Sequence, residues 1–238
     1  MKWRMSELDT ARFGVPSLRA DDVTREDVPQ LLEVCEANNI TFAIVRCSTA
    51  ELTAVQLLED AGFRLMDTVV SHLYHIDRSG LPDLQPPVLF RPYRPEDYAA
   101  VLDITSTAFH GYLGHYHIDP KIDPATADAI YIDWARRETE NSTVFVAEQD
   151  DRIVGYITFR LNSPEESQIV LGGVVPEAQR LGIYREFLKL GIHWGSQQGV
   201  RQVRFVTQIT NVAVQRVWAR LGCVLAHSDY TLHQWFDR

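Results

Sequence analysis

Cysteine is scarce in this chain of 238 residues: there are three, Cys35, Cys47 and Cys223, far apart and without a CxxC pair. That excludes a disulfide framework and the usual structural zinc motifs, and each cysteine falls in an apolar-periodic segment, as a reduced core residue does. Positive charge is scarce too. Lys and Arg number 23 against 32 Asp and Glu, a formal net charge of -9, and no basic run offsets it, so a nucleic-acid partner is not expected. No apolar run approaches the length of a membrane span, and Met1-Lys-Trp-Arg-Met-Ser-Glu lacks the apolar stretch of a signal peptide; the expected location is cytoplasmic, with no membrane partner. What remains is a hydrophobic fraction of 45% and a charged fraction of 23%, the composition of a globular protein long enough for one large domain or two small ones.

The chain is organised around one stretch. Gln168-Ile-Val-Leu-Gly-Gly-Val-Val175 reads as a strand, Pro176 to Tyr184 as a turn, and the run from Arg185 as a helix with Phe187, Leu188, Leu190, Gly191 and Trp194 at helical spacing. A strand that feeds a small-residue turn into a helix aims several unpaired N–H groups and the positive dipole end at one spot, which favours a pyrophosphate. The paired Gly172 and Gly173 suggest a bulge that splays the strand from its neighbour and frees backbone groups for an extended, amide-bearing ligand.

Elsewhere the spacing predicts an apolar turn at Asp9 to Val15, a helix over 21–39, a strand over 41–47, a helix opened by a Ser48–Glu51 capping box and closed by Gly62, and a long strand over 63–76. A similar plan recurs late: a strand over 202–207, a helix from Asn211 to Arg220 closed by Gly222, and a long strand over 223–235. Aligning the two closing glycines gives an offset of 222 minus 62, that is 160, so residues 1–80 are expected to be a small α/β domain that partly echoes residues 88–238. The Gly- and Pro-rich stretch 77–87 reads as the linker between them. Residues 109–124 are rich in Gly, His and Tyr and without period, a functional loop by its length.

Val174-x-Pro176-x-x-Gln179-Arg-Leu-Gly182-Ile-Tyr184 resembles the acyl-CoA loop of the GNAT acetyltransferase superfamily, with Arg180 and Tyr184 where many members have small residues. The resemblance covers roughly Leu89 to the end. It implies an α/β (α+β) GNAT fold, a mixed and mostly antiparallel sheet flanked by helices, with acetyl-CoA as cosubstrate and no metal. Phe13-Gly14, Gly62-Phe63, His115-Tyr-His117-Ile-Asp119-Pro120, Tyr131-Ile-Asp-Trp134 and Thr207-Gln-Ile-Thr-Asn211 occur in an order similar to the nucleotide-sugar branch, of the dTDP-fucosamine N-acetyltransferase type. The implied reaction is direct transfer of acetyl to the amine of a dTDP-linked 4-amino-4,6-dideoxyhexose. The alternatives are a GNAT acting on another small amine and a catalytically silent acyl-CoA-binding module.

The resemblance also implies roles. Gly173, Val174, Val175, Gln179, Arg180, Leu181, Gly182, Ile183, Tyr184 and Asn211 would contact CoA, with Asn211 also the helix cap. A backbone N–H of Val174 or Val175 would serve the oxyanion. His115, His117, Asp119, Trp134, Thr207 and Gln208 would contact the sugar substrate. The attacking amine must be neutral and the departing thiolate benefits from an acid. Asp67 is the expected base, with His115 and His117 as rivals. Counting from Asn211 to Gly222 puts Trp218 where the family commonly has an acid Tyr; an indole does not release a proton at useful pH, so either the thiolate leaves unassisted, or Tyr184 or Tyr230 substitutes, or the chain acetylates poorly. The long terminal strand pairs either within the chain or across a homodimer.

Overall fold

In the computed structural model, which describes residues 1–236, short alternating segments form strands and 3.6-periodic ones form helices. The first part runs β1 (Lys2–Met5), α1 (Glu7–Phe13), β2 (Ser17–Asp21), α2 (Val28–Ala37), β3 (Phe42–Ser48), α3 (Leu52–Asp60), β4 (Arg64–His75) and the short α4 (Ile76–Ser79). Then come β5 (Leu89–Pro92), α5 (Tyr98–Phe109), α6 (His115–Ile118), α7 (Pro124–Asn141), β6 (Thr143–Gln149), β7 (Arg152–Ser163) and β8 (Glu166–Val174). The chain closes with α8 (Ile183–Gln197), β9 (Gln202–Gln208), α9 (Val212–Leu221) and β10 (Val224–Trp235).

All ten strands join one sheet in the order β1-β2-β3-β10-β4-β9-β8-β7-β6-β5. Among the described residues only β2/β3 and β8/β9 are parallel. The last strand lies deep in the first part: β10 is hydrogen-bonded to β3 on one edge and β4 on the other. It therefore offers no edge to a second copy: of the two alternatives, the strand pairs within the chain. It also carries the sheet unbroken across the expected boundary at 80–88.

The register holds an internal relation. Val69 lies opposite Asp229, Asp229 opposite Ser48, and Val69 opposite Gln208; 229 minus 69 and 208 minus 48 are both 160. The units β3-α3-β4 and β9-α9-β10 thus meet about an approximate two-fold at Val69 and Asp229, each placing its final strand beside the other's first. Gly62 and Gly222 close the two helices in the left-handed region, at φ 90° and 94°.

Leu31, Leu58, Val45 and Leu232 pack with α2 and α3 on one face of the first part. On the opposite face Phe42 and Ile44 of β3 meet Tyr116 of α6 and Ile130 of α7, so the loop region of the second part covers strands of the first. Phe187, Leu188, Ile192 and Trp218 pack α8 and α9 beneath the second part, while Val101, Ile104 and Ala135 cover Tyr156 and Leu171 from the other side.

Local expectations change in four places. Residues 9–15 are mostly helix, not a turn, because Ser6 caps α1 and Gly14 ends it in the left-handed region. The helix expected from Asp21 starts at Val28, since Asp21 ends β2 and Arg25–Asp27 forms a 3-10 turn. The Ser48 capping box does not form: β3 runs through Ser48, and Glu51 takes the cap position of α3 without a side-chain bond. Residues 82–85 are tied to α8 rather than loose. Gln85 N–H donates to Glu186 at 2.8 Å, Lys189 to the Asp83 carbonyl at 2.7 Å, and His193 Nε2 lies 2.7 Å from the Pro82 carbonyl.

Candidate active site

The site begins where two parallel strands part. β8 and β9 pair from Glu166 opposite Gln202 to Ile169 opposite Phe205, then separate while β8 continues to Val174 and β9 to Gln208. The cause is a bulge one step earlier than the glycines: Val170 and Leu171 together oppose Thr158. Thr158 Oγ1 satisfies the bulge, donating to the Leu171 carbonyl at 3.2 Å and accepting from its N–H at 3.0 Å. Gly172 and Gly173 serve close packing instead. A Cβ on Gly172 would come within 2.9 Å of the Tyr156 carbonyl oxygen, and one on Gly173 within 3.0 Å of Ile104 Cγ2.

Beyond the bulge the ladder to β7 decides which groups face the gap. Val175 N–H donates to the Val154 carbonyl at 2.9 Å, so Val175 is unavailable as an oxyanion donor. Antiparallel alternation turns the neighbouring Val174 groups to the open side, and the Val174 carbonyl accepts from Gln179 Nε2 at 3.3 Å. The chain then passes a 3-10 turn, Pro176–Ala178, and two left-handed residues, Arg180 at φ 71° and Gly182 at φ 86°. Gly182 caps α8 with no side-chain bond. The first N–H groups of this helix, from Ile183 onward, therefore point out unpaired beside the exposed Arg180 and Leu181. A gap lined by free strand amides and ending on a bare helix N-terminus fits a pantetheine arm and a pyrophosphate.

At the inner end of the gap, Trp218 is 3% exposed and its indole N–H donates to the Tyr184 hydroxyl at 3.2 Å. That bond occupies an acceptor site on the phenol and leaves its own proton free. Burial raises the Tyr184 hydroxyl above the ordinary phenol range, so it stays protonated. Tyr112, from the loop after α5, bonds Gln208 at the end of β9. Asn211 caps α9 through Val214 N–H at 3.4 Å and donates to Thr207 Oγ1 at 3.1 Å. Tyr112 was not expected from the sequence; it is one of several tyrosines in an aperiodic loop.

From this end a cleft of about 1070 Å³ runs between the sheet and the α6–α7 region. Arg4, Arg12, Arg19, Arg46, Arg137 and Arg160 line it, an accumulation of positive charge in an acidic protein. Five are engaged: Arg4 with Asp21, Arg12 and Arg19 with Asp9, Arg137 with Asp133, and Arg160 with Glu138. Arg46 makes no ion pair among the described residues. It stands in a row across three strands, Arg46 opposite Thr231 and Thr231 opposite Asp67. Arg46 Nε, Thr231 Oγ1 and both Asp67 carboxylate oxygens are buried without a hydrogen-bond partner.

The expected substrate residues divide. His115, Trp134, Thr207 and Gln208 line the cleft. His117 and Asp119 do not. His117 Nε2 is committed to Asp128 at 2.8 Å. Asp119 is 2% exposed and accepts from His233 Nδ1 at 2.7 Å and from Trp235 Nε1 at 2.9 Å, so it cannot touch a sugar. His233 Nε2 in turn meets His115 Nδ1 at 2.8 Å. Tyr230, the other rival acid, lies on the opposite face with the α2–α3 core. The cysteines are all buried.

Residues 88–224 match the acetyltransferase (GNAT) domain model. The chain belongs to the GNAT acetyltransferase family. It is 28% identical over 167 residues to a mycothiol acetyltransferase of Rhodococcus erythropolis, covering 65% of this chain and 53% of that protein. It is 26% identical over 146 residues to the spore coat polysaccharide biosynthesis protein SpsD of Bacillus subtilis, covering 60% of this chain and 50% of the relative. The chain spans about half the length of these curated relatives. A GCN5-related N-acetyltransferase from Kribbella flavida superposes with a TM-score of 0.62 at 12% identity, covering 93% of this chain and 82% of that one. A tandem GNAT protein from the clavulanic acid biosynthesis pathway gives 0.62 at 13%, covering 93% and 75%. The GNAT fold, a mixed sheet flanked by helices, is thereby established. No helix among the described residues is long and apolar enough to cross a membrane.

Proposed function

We propose that this chain transfers acetyl from acetyl-CoA to the amine of an anionic, nucleotide-linked amino-dideoxy sugar. The observation that carries the reading is Arg46, which lines an arginine-rich cleft without an ion pair among the described residues and stands on the sheet in a row with the unpartnered, buried Thr231 and Asp67 behind the lining. Buried polar groups of opposite sign without partners are costly unless a ligand satisfies them. Arg46 suits a phosphate oxygen, which a polyamine would not need, and the Asp67 carboxylate behind it adds negative charge near the amine.

Acetyl-CoA supplies the activated acyl group. The α8 N-terminus holds its pyrophosphate and the β8–β9 gap its amide-bearing arm. Val174 N–H faces the gap and donates to the acetyl carbonyl oxygen, where negative charge grows as the amine attacks. Tyr184, held by Trp218, protonates the sulfur as it departs. Tyr112, Thr207 and Gln208 close the inner end and contact the acceptor. The protein would accordingly be a catalyst and not a silent CoA-binding module.

A second reading follows from the name mycothiol acetyltransferase, borne by four relatives. Both are tested together by incubating the chain with acetyl-CoA and each acceptor, the second set being the acceptor of those relatives, and weighing the products. Acetylated dTDP-4-amino-4,6-dideoxygalactose supports the proposal. Acetylation of the mycothiol-type acceptor alone replaces it.

A further inference from the structure

The polar chain behind the cleft spans residues far apart in sequence. It starts at Asp119, whose Oδ1 accepts from Lys121 N–H at 2.9 Å while Oδ2 accepts from Trp235 Nε1 at 2.9 Å and faces His233 Nδ1 at 2.7 Å. An ionised carboxylate only accepts, and its hydrogen bonds to His233, Trp235 and Lys121 outweigh burial and hold it below the usual carboxylate range. His233 therefore carries its proton on Nδ1 and presents a lone pair at Nε2. That lone pair meets His115 Nδ1 at 2.8 Å, so His115 also carries its proton on Nδ1. The remaining atom, His115 Nε2, is an acceptor. It has no partner among the described residues, is not among the enclosed unpartnered atoms, and belongs to a residue that lines the cleft.

We propose that His115, His233 and Asp119 form a proton relay that deprotonates the acceptor amine. The inference rests on the acetyl-transfer reading above. An amino sugar arrives largely as ammonium and cannot attack until an N–H bond breaks. That proton bonds to His115 Nε2, the Nδ1 proton of His115 passes to His233 Nε2, and the resulting imidazolium lies against the Asp119 carboxylate. Reversal of these steps after turnover returns the proton to cleft water. The neutral amine then attacks the acetyl carbon, the C–S bond breaks, and the sulfur takes a proton from Tyr184.

The surroundings favour the inward direction. Arg46, Arg19 and Arg12 act on His115 from the sheet and α1, while Asp67 acts on His233. Tyr116 lies tilted against His115 with ring centroids 3.9 Å apart, and Phe42 meets His233 edge-on at 5.1 Å. Burial, the neighbouring His233 and those guanidiniums hold His115 well below its ordinary value, so it rests neutral and holds a positive charge poorly, which favours passing the proton on to His233. Burial, with Arg19 adding to it, holds His233 below its ordinary value too, but the bond and charge of Asp119 and the charge of Asp67 oppose this. His233 is therefore lowered less far than His115, and the positive charge is better placed on the inner ring. The expected single-carboxylate base, Asp67, which does not line the cleft, gives way to a three-residue one.

Two measurements test this. Histidine side-chain nitrogen NMR on the full chain should show both His115 and His233 as neutral Nδ1–H tautomers; an Nε2–H form on either ring overturns the relay. Kinetically, His115→Gln should lower kcat about a hundredfold near pH 7, the low end of general acid–base effects, with KM for acetyl-CoA unchanged. The deficit should shrink to a few-fold as pH rises past the pKa of the amine, because solvent then supplies the neutral form. A merely structural role predicts a loss independent of pH, which overturns the relay and leaves the transferase reading intact. If no amine is acetylated by the wild-type chain, the transferase reading fails, and the relay falls with it.

Discussion

Replacing Tyr184 by Phe removes one oxygen atom from the inner end of the gap and separates two roles of that residue. The hydroxyl accepts the indole N–H of the buried Trp218 at 3.2 Å. Stranding that donor should destabilise the chain by about 1–3 kcal/mol. The hydroxyl is also the proposed proton source for the departing thiolate. A thiol pKa of about 8.5 makes sulfur a fair leaving group unaided, so the effect should lie near the low end of general acid catalysis, about a hundredfold in kcat, or about 2.7 kcal/mol of barrier. Trp218→Phe keeps the phenol and loses only its orientation, so its kcat should fall less. The assay is release of free CoA thiol at saturating acetyl-CoA, with thermal unfolding run in parallel. If Tyr184→Phe stays within twofold of wild-type kcat while its stability falls, the thiolate leaves unassisted and the acid role is refuted.

Three further outcomes follow from the same geometry. Arg46→Met should raise KM for a nucleotide-linked acceptor about tenfold to a hundredfold, from about 1.5–3 kcal/mol for a hydrogen bond to a charged group; an uncharged amino sugar should lose nothing, and equal losses on both would contradict the anion role. Gly172→Ala places a Cβ 2.9 Å from the Tyr156 carbonyl, a backbone atom that cannot yield, and overpacking of about 1–3 kcal/mol should lower the melting temperature by several degrees. Asp9 is raised by burial but lowered more by Arg19, Ser6 and Tyr116, to about 2 from 3.8. A depressed carboxyl contributes stability above its unfolded value and loses it as pH falls, so Asp9→Asn should remove about 2 kcal/mol near neutrality and flatten the acid-unfolding curve between those two values. An unchanged slope there would rule out this ion pair as its source.

Much of the site could be read from local sequence because its devices are local. The Gln168–Tyr184 strand and turn and the caps at Asn211, Gly62 and Gly222 each lie within a few residues. The 160-residue offset could be read because closing glycines mark helix ends whatever surrounds them. The first strand and the first helix were not legible: Lys2–Met5 is a four-residue exposed edge strand with no apolar alternation, and the Ser6 side chain that caps residues 7–13 bonds Asp9, which is buried beside Arg19. The bulge fell at Val170–Leu171 because Thr158, on the partner strand, supplies its hydrogen bonds. His233 reads as an ordinary polar residue of a strand and acquires meaning only when a loop 118 residues away lays His115 against it. Arg46 is hidden the same way, by a strand order that places β10 between β3 and β4.

The central claim is that the β8–β9 gap and the start of α8 form an acyl-CoA site, and that the echoing first part does not form another. In that part β2 leads to α2 through Asp22, Glu26 and Asp27, and Asp27 accepts from Thr24 N–H at 2.9 Å, filling the place with negative charge. Isothermal titration of the full chain with acetyl-CoA tests both points at once. One molecule bound per chain, with affinity lost in Gly182→Pro, is the predicted result. No binding at all would contradict the site from which the proposed reaction is built.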